Sequence, residues 1–224
     1  LMWHEVRLDG EGKLLSWAET SEPYGRIIRS AWEAFKDIPV QPDGYRTYFT
    51  HPTFYGPNDP AHPPFSGRPW VHHPAGLFAM LTDSAILYYG YSGDEVVLGR
   101  AREMLDQMIA HGSTEANDAW ALVPYACANA GQVVYRGADD RIYCYQENHT
   151  PCGRGDGVGF LEPDKIGELG HAYLLFHEVT LEEKYLRAAL RCADALAKHV
   201  RPGDESHSPW PFRVDAKTGE NIRE

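Results

Sequence analysis

Asp164, Glu168 and His171 are three side chains able to move protons, and they follow one another at i, i+4 and i+7. That spacing puts them on one face of a single helix. Glu162 stands just before Pro163, a residue suited to the first helical turn. Carboxyl groups in such a constellation suit cleavage of a glycosidic bond. One carboxyl protonates the leaving oxygen and a second faces it, ~6.5–9.5 Å away where a water must fit between them. Two carboxylates on one helix point the same way, so a partner from elsewhere is expected. Asp118, in Asn117-Asp118-Ala119-Trp120, and Asp156, in Gly153-Arg154-Gly155-Asp156-Gly157, are the candidates. Each of these residues also has a plain structural use. Asp164 and Glu162 complement a helix dipole, Glu168 pairs with His171, Asp118 caps a helix, and Asp156 sits in an Asp-Gly turn.

The aromatic content points toward sugar. Six Trp, 13 Tyr and 8 Phe exceed what a small core needs, and many fall outside helical patterns. Trp210, between Pro209 and Pro211, belongs to neither a helix nor a central strand. With Phe212 and Arg213 it would form a stacking platform beside a cation, fit for an acidic sugar or a hydroxyl pair. Filling a gap between helices is its alternative use. Trp70, His72 and His73 precede an apolar helix at the expected cleft rim, and Trp120 and Tyr125 follow Asp118. His72 and His73 are adjacent, so their side chains diverge and do not make a metal pair.

Positioning these residues falls to a repeat. After a lead-in (1–23), a helix is expected over 24–36 with Ile28, Ala31, Trp32 and Phe35 on one face. A long aromatic loop covers 39–74. Residues 75–91 then read as a helix apolar nearly all round. Past Ser92-Gly93-Asp94, a second helix carries Val97, Ala101, Met104, Leu105, Met108 and Ile109 in one stripe. The pattern recurs at an 87-residue offset, which carries Arg100-Ala101 onto Arg187-Ala188. Residues 164–178 form the second apolar helix, and Tyr185, Ala188, Ala189, Cys192, Ala195 and Leu196 form the second stripe. A further helix is expected over 118–134. Under the offset, Asp164, Glu168 and His171 replace Leu77, Leu81 and Ser84, so chemistry concentrates in the second hairpin. Hairpins that bury both faces of their first helix require neighbours, as in a toroid or solenoid.

The phrases Gly93-Asp94-Glu95-Val96-Val97-Leu98-Gly99-Arg100-Ala101 and Thr180-Leu181-Glu182-Glu183-Lys184-Tyr185-Leu186-Arg187-Ala188 carry a family resemblance. So do Glu162-Pro163-Asp164-Lys165-Ile166-Gly167-Glu168 and Ser208-Pro209-Trp210-Pro211-Phe212-Arg213. Over residues 74–213 the chain resembles the six-hairpin glycosidase superfamily, whose fold is an (α/α)6 toroid and whose members include glycoside hydrolases, polysaccharide lyases and sugar epimerases. The resemblance implies a mainly α fold of helical hairpins forming part of such a toroid, and a carbohydrate substrate. A glycoside hydrolase using Glu168 or Glu162 as proton donor is the first expectation. A lyase or uronate epimerase with a Tyr or His base and Arg213 is the second, and a non-catalytic glycan-binding repeat the third. The toroid needs about twelve helices and this chain offers about half, so a missing C-terminal half or a second chain is expected to complete the single, partial domain of 1–224.

Composition excludes other classes. The net charge of −11 argues against nucleic-acid partners, and charges interrupt every stretch that could span a membrane. The phosphate loop, the Gly-x-Ser-x-Gly elbow and the His-Glu-x-x-His motif are absent, and no cofactor or metal is expected. Cys127 and Cys192 fall in helical patterns and read as buried thiols. Cys144 and Cys152 flank Asn148-His149-Thr150-Pro151, where a local disulfide competes with free thiols. With no signal peptide in the sequence, or one already removed, a periplasmic or secreted location is expected, with the cytoplasm as the alternative.

Overall fold

The computed structural model describes residues 8–12, 21–38, 40, 71–129, 134–138 and 157–223, and these are mainly helical. The chain divides into two units, 1–37 and 38–224. The first holds α1 (Ser21–Lys36). Trp32 is buried there, with Phe35 edge-on at 5.8 Å. Ile28 and Ala31, expected on the same face, are exposed instead.

The second unit is built on two hairpins. After β1 (Val71–His72), α2 (Pro74–Ser92) begins on proline, whose missing N–H falls where no helical bond would be made. It ends at Gly93, whose φ of 70° only glycine adopts freely and whose N–H bonds the Tyr89 carbonyl. Asp94 then caps α3 (Glu95–His111), its Oδ1 accepting from the Val96 N–H at 3.0 Å.

The helix expected over 118–134 does not form among the described residues of that span, 118–129 and 134. Residues 112–127 make a turn-rich loop in which Thr114 and Val123 bond each other and the Tyr125 N–H reaches the Gly112 carbonyl at 2.8 Å. Pro124 is the physical reason, because inside a helix it removes a donor and clashes with the preceding turn. Cys127 is therefore buried in this loop rather than in a helix. Beyond it lie β2 (Ala128–Asn129), β3 (Gly137–Ala138) and β4 (Gly157–Val158), which join β1 in a sheet ordered β1-β2-β3-β4.

The second hairpin follows β5 (Phe160–Leu161): α4 (Pro163–Thr180), a left-handed Leu181, and α5 (Glu183–Lys198). α2 and α4 lie side by side, α3 backs α2, and α5 backs α4. Phe78 and Leu81 of α2, Met104 and Leu105 of α3, Leu169 and Phe176 of α4 and Tyr185 of α5 are all buried. α4 and α5 cross at Gly170, where a Cβ would stand 2.7 Å from that of Cys192. Polar ties bind α3 to the start of α5, with Lys184 and Tyr185 both bonding Asp106 and Arg102 bonding Glu182. The last strands, β6 (Arg213–Asp215) and β7 (Asn221–Arg223), form a sheet with β5 in the order β5-β6-β7.

Candidate functional site

Strand register builds the site. β5 and β6 pair antiparallel with Leu161 opposite Val214, so the neighbouring residues Glu162 and Arg213 meet. Arg213 Nε donates to Glu162 Oε1 at 3.0 Å, with side chains only 14% and 7% exposed. Glu162 occupies the N-cap position of α4, but its carboxylate goes to Arg213 and caps nothing. The Arg213 guanidinium also lies 5.1 Å from the Phe212 ring centroid. The pair thereby ties the start of α4 to the strand that follows Phe212.

Between these two elements lies a cavity of about 580 Å³. Pro163, Asp164 and Gly167 line it from α4 and Leu196 from α5. Arg201, Ser206, His207, Ser208 and Trp210 to Phe212 line it from the loop after α5. Trp210 is held by its own indole, whose Nε1–H donates to the Leu196 carbonyl at 2.9 Å. Asp204 organises the loop, its Oδ1 accepting from the backbone N–H groups of Ser206 and His207 at 2.7 and 2.8 Å. Those backbone bonds and the His207 side chain hold its carboxyl below the ordinary value. His207 Nδ1 stands 3.0 Å from the same oxygen. A carboxylate only accepts, so the ring proton is assigned to Nδ1, which leaves Nε2 available to a ligand.

The expected site residues divide around this cavity. Asp164 and Trp210 line it together. Glu162 and Arg213 are engaged with each other behind it. Glu168 is half-exposed and bonds Lys165 Nζ at 2.8 Å, while Asp164 lies 3.3 Å from the same ammonium. Burial pulls the Lys165 pKa down, but the bond to Glu168 and the charge of Asp164 raise it overall. His171 is exposed, and no hydrogen bond joins it to Glu168. Asp118 caps a turn rather than a helix, its Oδ2 accepting from the Glu115 N–H at 2.9 Å.

Trp120 is buried in parallel contact with His199, the ring centroids 4.1 Å apart. Tyr125 is buried too, and burial together with the nearby Asp118 raises its pKa, against the lowering effect of Arg136. His73 lies 2.8 Å from Cys127 Sγ through Nδ1, a meeting set by the β1–β2 register of His72 against Ala128. Asp156, Trp70, Cys144, Cys152 and His149 fall outside the described residues.

Sequence reasoning missed Arg201, Asp204 and His207. Their signal was the Arg201-Pro202-Gly203-Asp204 stretch after a helix end, a turn-rich loop of the kind that carries function. Among the described residues no group of three or more His, Cys, Asp or Glu side chains is gathered to hold a metal. No described helix is long and apolar enough to cross a membrane.

No protein-family model and no curated protein matches the chain. Among solved structures it is similar to a sugar epimerase from a ruminal bacterium, at 11% identity and a TM-score of 0.45. The match covers 66% of this chain and spans about 30% of the epimerase chain, a likeness too distant to assign a reaction.

Proposed function

We propose that the protein is a carbohydrate-active enzyme, a glycoside hydrolase that holds its saccharide in the 580 Å³ cavity. The observation that supports this reading best is that Asp164 and Trp210, on different elements, open into the same cavity. A sugar presents an apolar C–H face to an aromatic ring and hydroxyls to polar groups around it. Trp210 and Phe212 supply the rings here, and Ser206, Ser208 and Arg201 supply hydrogen bonds.

Asp164 stands in the first turn of α4, where the helix dipole favours a negative charge. It suits the base that takes a proton from the attacking water. His207, oriented by Asp204, suits the donor to the departing glycosidic oxygen. The water oxygen bonds the anomeric carbon and the C–O bond to the leaving sugar breaks; one proton passes from the water to Asp164, and His207, acting as the imidazolium with Nδ1–H held by Asp204, passes its Nε2 proton to the leaving oxygen. Glu168 and Glu162, the donors first expected, are engaged by Lys165 and Arg213 and line no part of this cavity.

The His207–Asp204 pair favours a second reading. A neutral imidazole held by a carboxylate is a base able to take a proton from a sugar carbon, as a lyase or epimerase requires. Assay of reducing-sugar release, absorbance of an unsaturated product and solvent deuterium at a sugar carbon separates hydrolysis, elimination and epimerisation. Asp164→Asn is expected to lower turnover by ~10²-fold or more with the saccharide still bound. If Asp164→Asn and His207→Gln both keep full turnover on a responsive glycan, the reading is wrong.

The two hairpins are read as part of an (α/α)6 toroid acting outside the cytoplasm on a poly- or oligosaccharide. Further hairpins would come from a second chain or another segment. The exposed Met80, Leu87 and Tyr91 of α2 and Leu174 of α4 are faces such neighbours would cover.

A further inference from the structure

A second cavity, of about 240 Å³, shares Arg201 and Pro211 with the first. Trp120 lines it, 1% exposed, and its indole Nε1–H has no hydrogen-bond partner among the described residues. An indole N–H can only donate, and this one is itself buried, so it senses charge in the adjoining cavity without touching its contents. The Trp120 ring is fixed, stacked on His199 and bonded through its backbone N–H to the Ala216 carbonyl. His199 Nε2 is 3.0 Å from the Ala119 carbonyl, which only accepts, so that nitrogen donates there.

Lys198, Arg201 and Asn221 complete the polar lining, and no Asp or Glu belongs to it. A cavity lined by two cations and no acid is unusual in a chain of net charge −11. Such a site concentrates an anion that the rest of the surface repels. Gly219 keeps it open. With φ at 75° and a built Cβ 3.3 Å from that of Ala119, no larger residue fits there without strain.

Resting on the carbohydrate reading of the larger cavity, we propose that this smaller one is an acid-recognition subsite. It takes the carboxylate of a uronic acid residue joined to the saccharide held over Trp210. Arg201 lines both cavities and bridges the two sugar units. Arg213, the cation expected from the sequence to meet a uronate, is engaged by Glu162. Its expected role passes to Arg201 and Lys198.

The test compares an aldobiouronic acid with the neutral disaccharide obtained by reducing its carboxyl to an alcohol, by calorimetric titration of the whole chain. The acid is expected to bind about tenfold more tightly or better, the worth of one charge-assisted hydrogen bond. Lys198→Gln and Asn221→Asp, both at exposed positions, should each shrink that preference, Asn221→Asp the more because it adds a negative charge. In an ¹⁵N spectrum the Trp120 indole N–H should shift with the acid and not with the neutral sugar. Equal affinity for the two sugars, or a preference that survives both substitutions, overturns the subsite and leaves the larger cavity's role intact. Binding of neither sugar overturns both.

Discussion

Replacing Arg213 with methionine removes the cation that faces Glu162 and keeps much of the side-chain volume. The carboxylate it leaves is 7% exposed and has lost its 3.0 Å partner. Removing one member of a buried ion pair costs about 3–5 kcal/mol. The 14% exposure of Arg213 argues for the lower end, about 3 kcal/mol. In a domain of this size that lowers the melting temperature by about 6–12 °C.

Glu162→Gln should cost less, about 1–2 kcal/mol, because Arg213 keeps its contact with the Phe212 ring and some access to water. The double variant Glu162→Gln with Arg213→Met removes both charges and should fall short of the summed single effects by at least about 1 kcal/mol. Differential scanning calorimetry of the four proteins closes this cycle. Because Glu162 adjoins Pro163 and Asp164 while Arg213 adjoins Phe212, the single variants should also weaken saccharide binding in the larger cavity. A stability loss below about 1 kcal/mol for Arg213→Met would refute the idea that this pair locks β6 to α4.

Other expectations follow from the packing and titration of the same elements. Gly170→Ala should destabilise by about 2 kcal/mol in urea unfolding, because its Cβ meets that of Cys192 at 2.7 Å; Cys192→Ala keeps that Cβ and should not rescue it, whereas Cys192→Gly should in part. Burial pushes the Cys192 thiol up to about 12 from an ordinary 9.0, so the native state holds its proton longer than the unfolded one. The stability Cys192 contributes is whole below pH 9 and declines as pH rises toward 12, and Cys192→Ala should flatten that alkaline limb. The Glu182 carboxyl is lowered despite burial, by Arg102 and Lys184. It therefore contributes stability above its unfolded value of 4.5 that is lost as pH falls below it, and Glu182→Gln should flatten the acid limb of a denaturation profile.

The four hairpin helices were legible because every local signal agreed. Gly93-Asp94 ends one helix and caps the next, Pro163 opens α4, and the buried stripes of α3 and α5 recur at helical spacing. The loop after α3 was misread as helix because Trp120 and Tyr125 are apolar and close together, although Pro124 between them forbids the ladder. Asp164 and Trp210 were legible as residue types suited to chemistry and stacking. Their shared cavity was not, since it depends on a loop shaped by Asp204 and on the pairing of Leu161 with Val214 across the chain. The same non-local pairing engages Arg213 with Glu162, a fact that neither residue's neighbourhood in sequence announces. Arg201 and His207 escaped because a cation and an imidazole in a polar loop look like solvated surface until the cavity behind them is seen.

Saccharide is proposed to lie in the cavity between α4 and the loop carrying Trp210. The most direct measurement is titration of ¹⁵N-labelled protein with a neutral oligosaccharide that it turns over or binds. Saturable shifts of the Trp210 indole N–H and of the Gly167, Ser206 and His207 amides are expected, all abolished by Trp210→Leu in a protein that still melts cooperatively. Saturable binding that leaves those signals unmoved, or that survives Trp210→Leu undiminished, would contradict that placement.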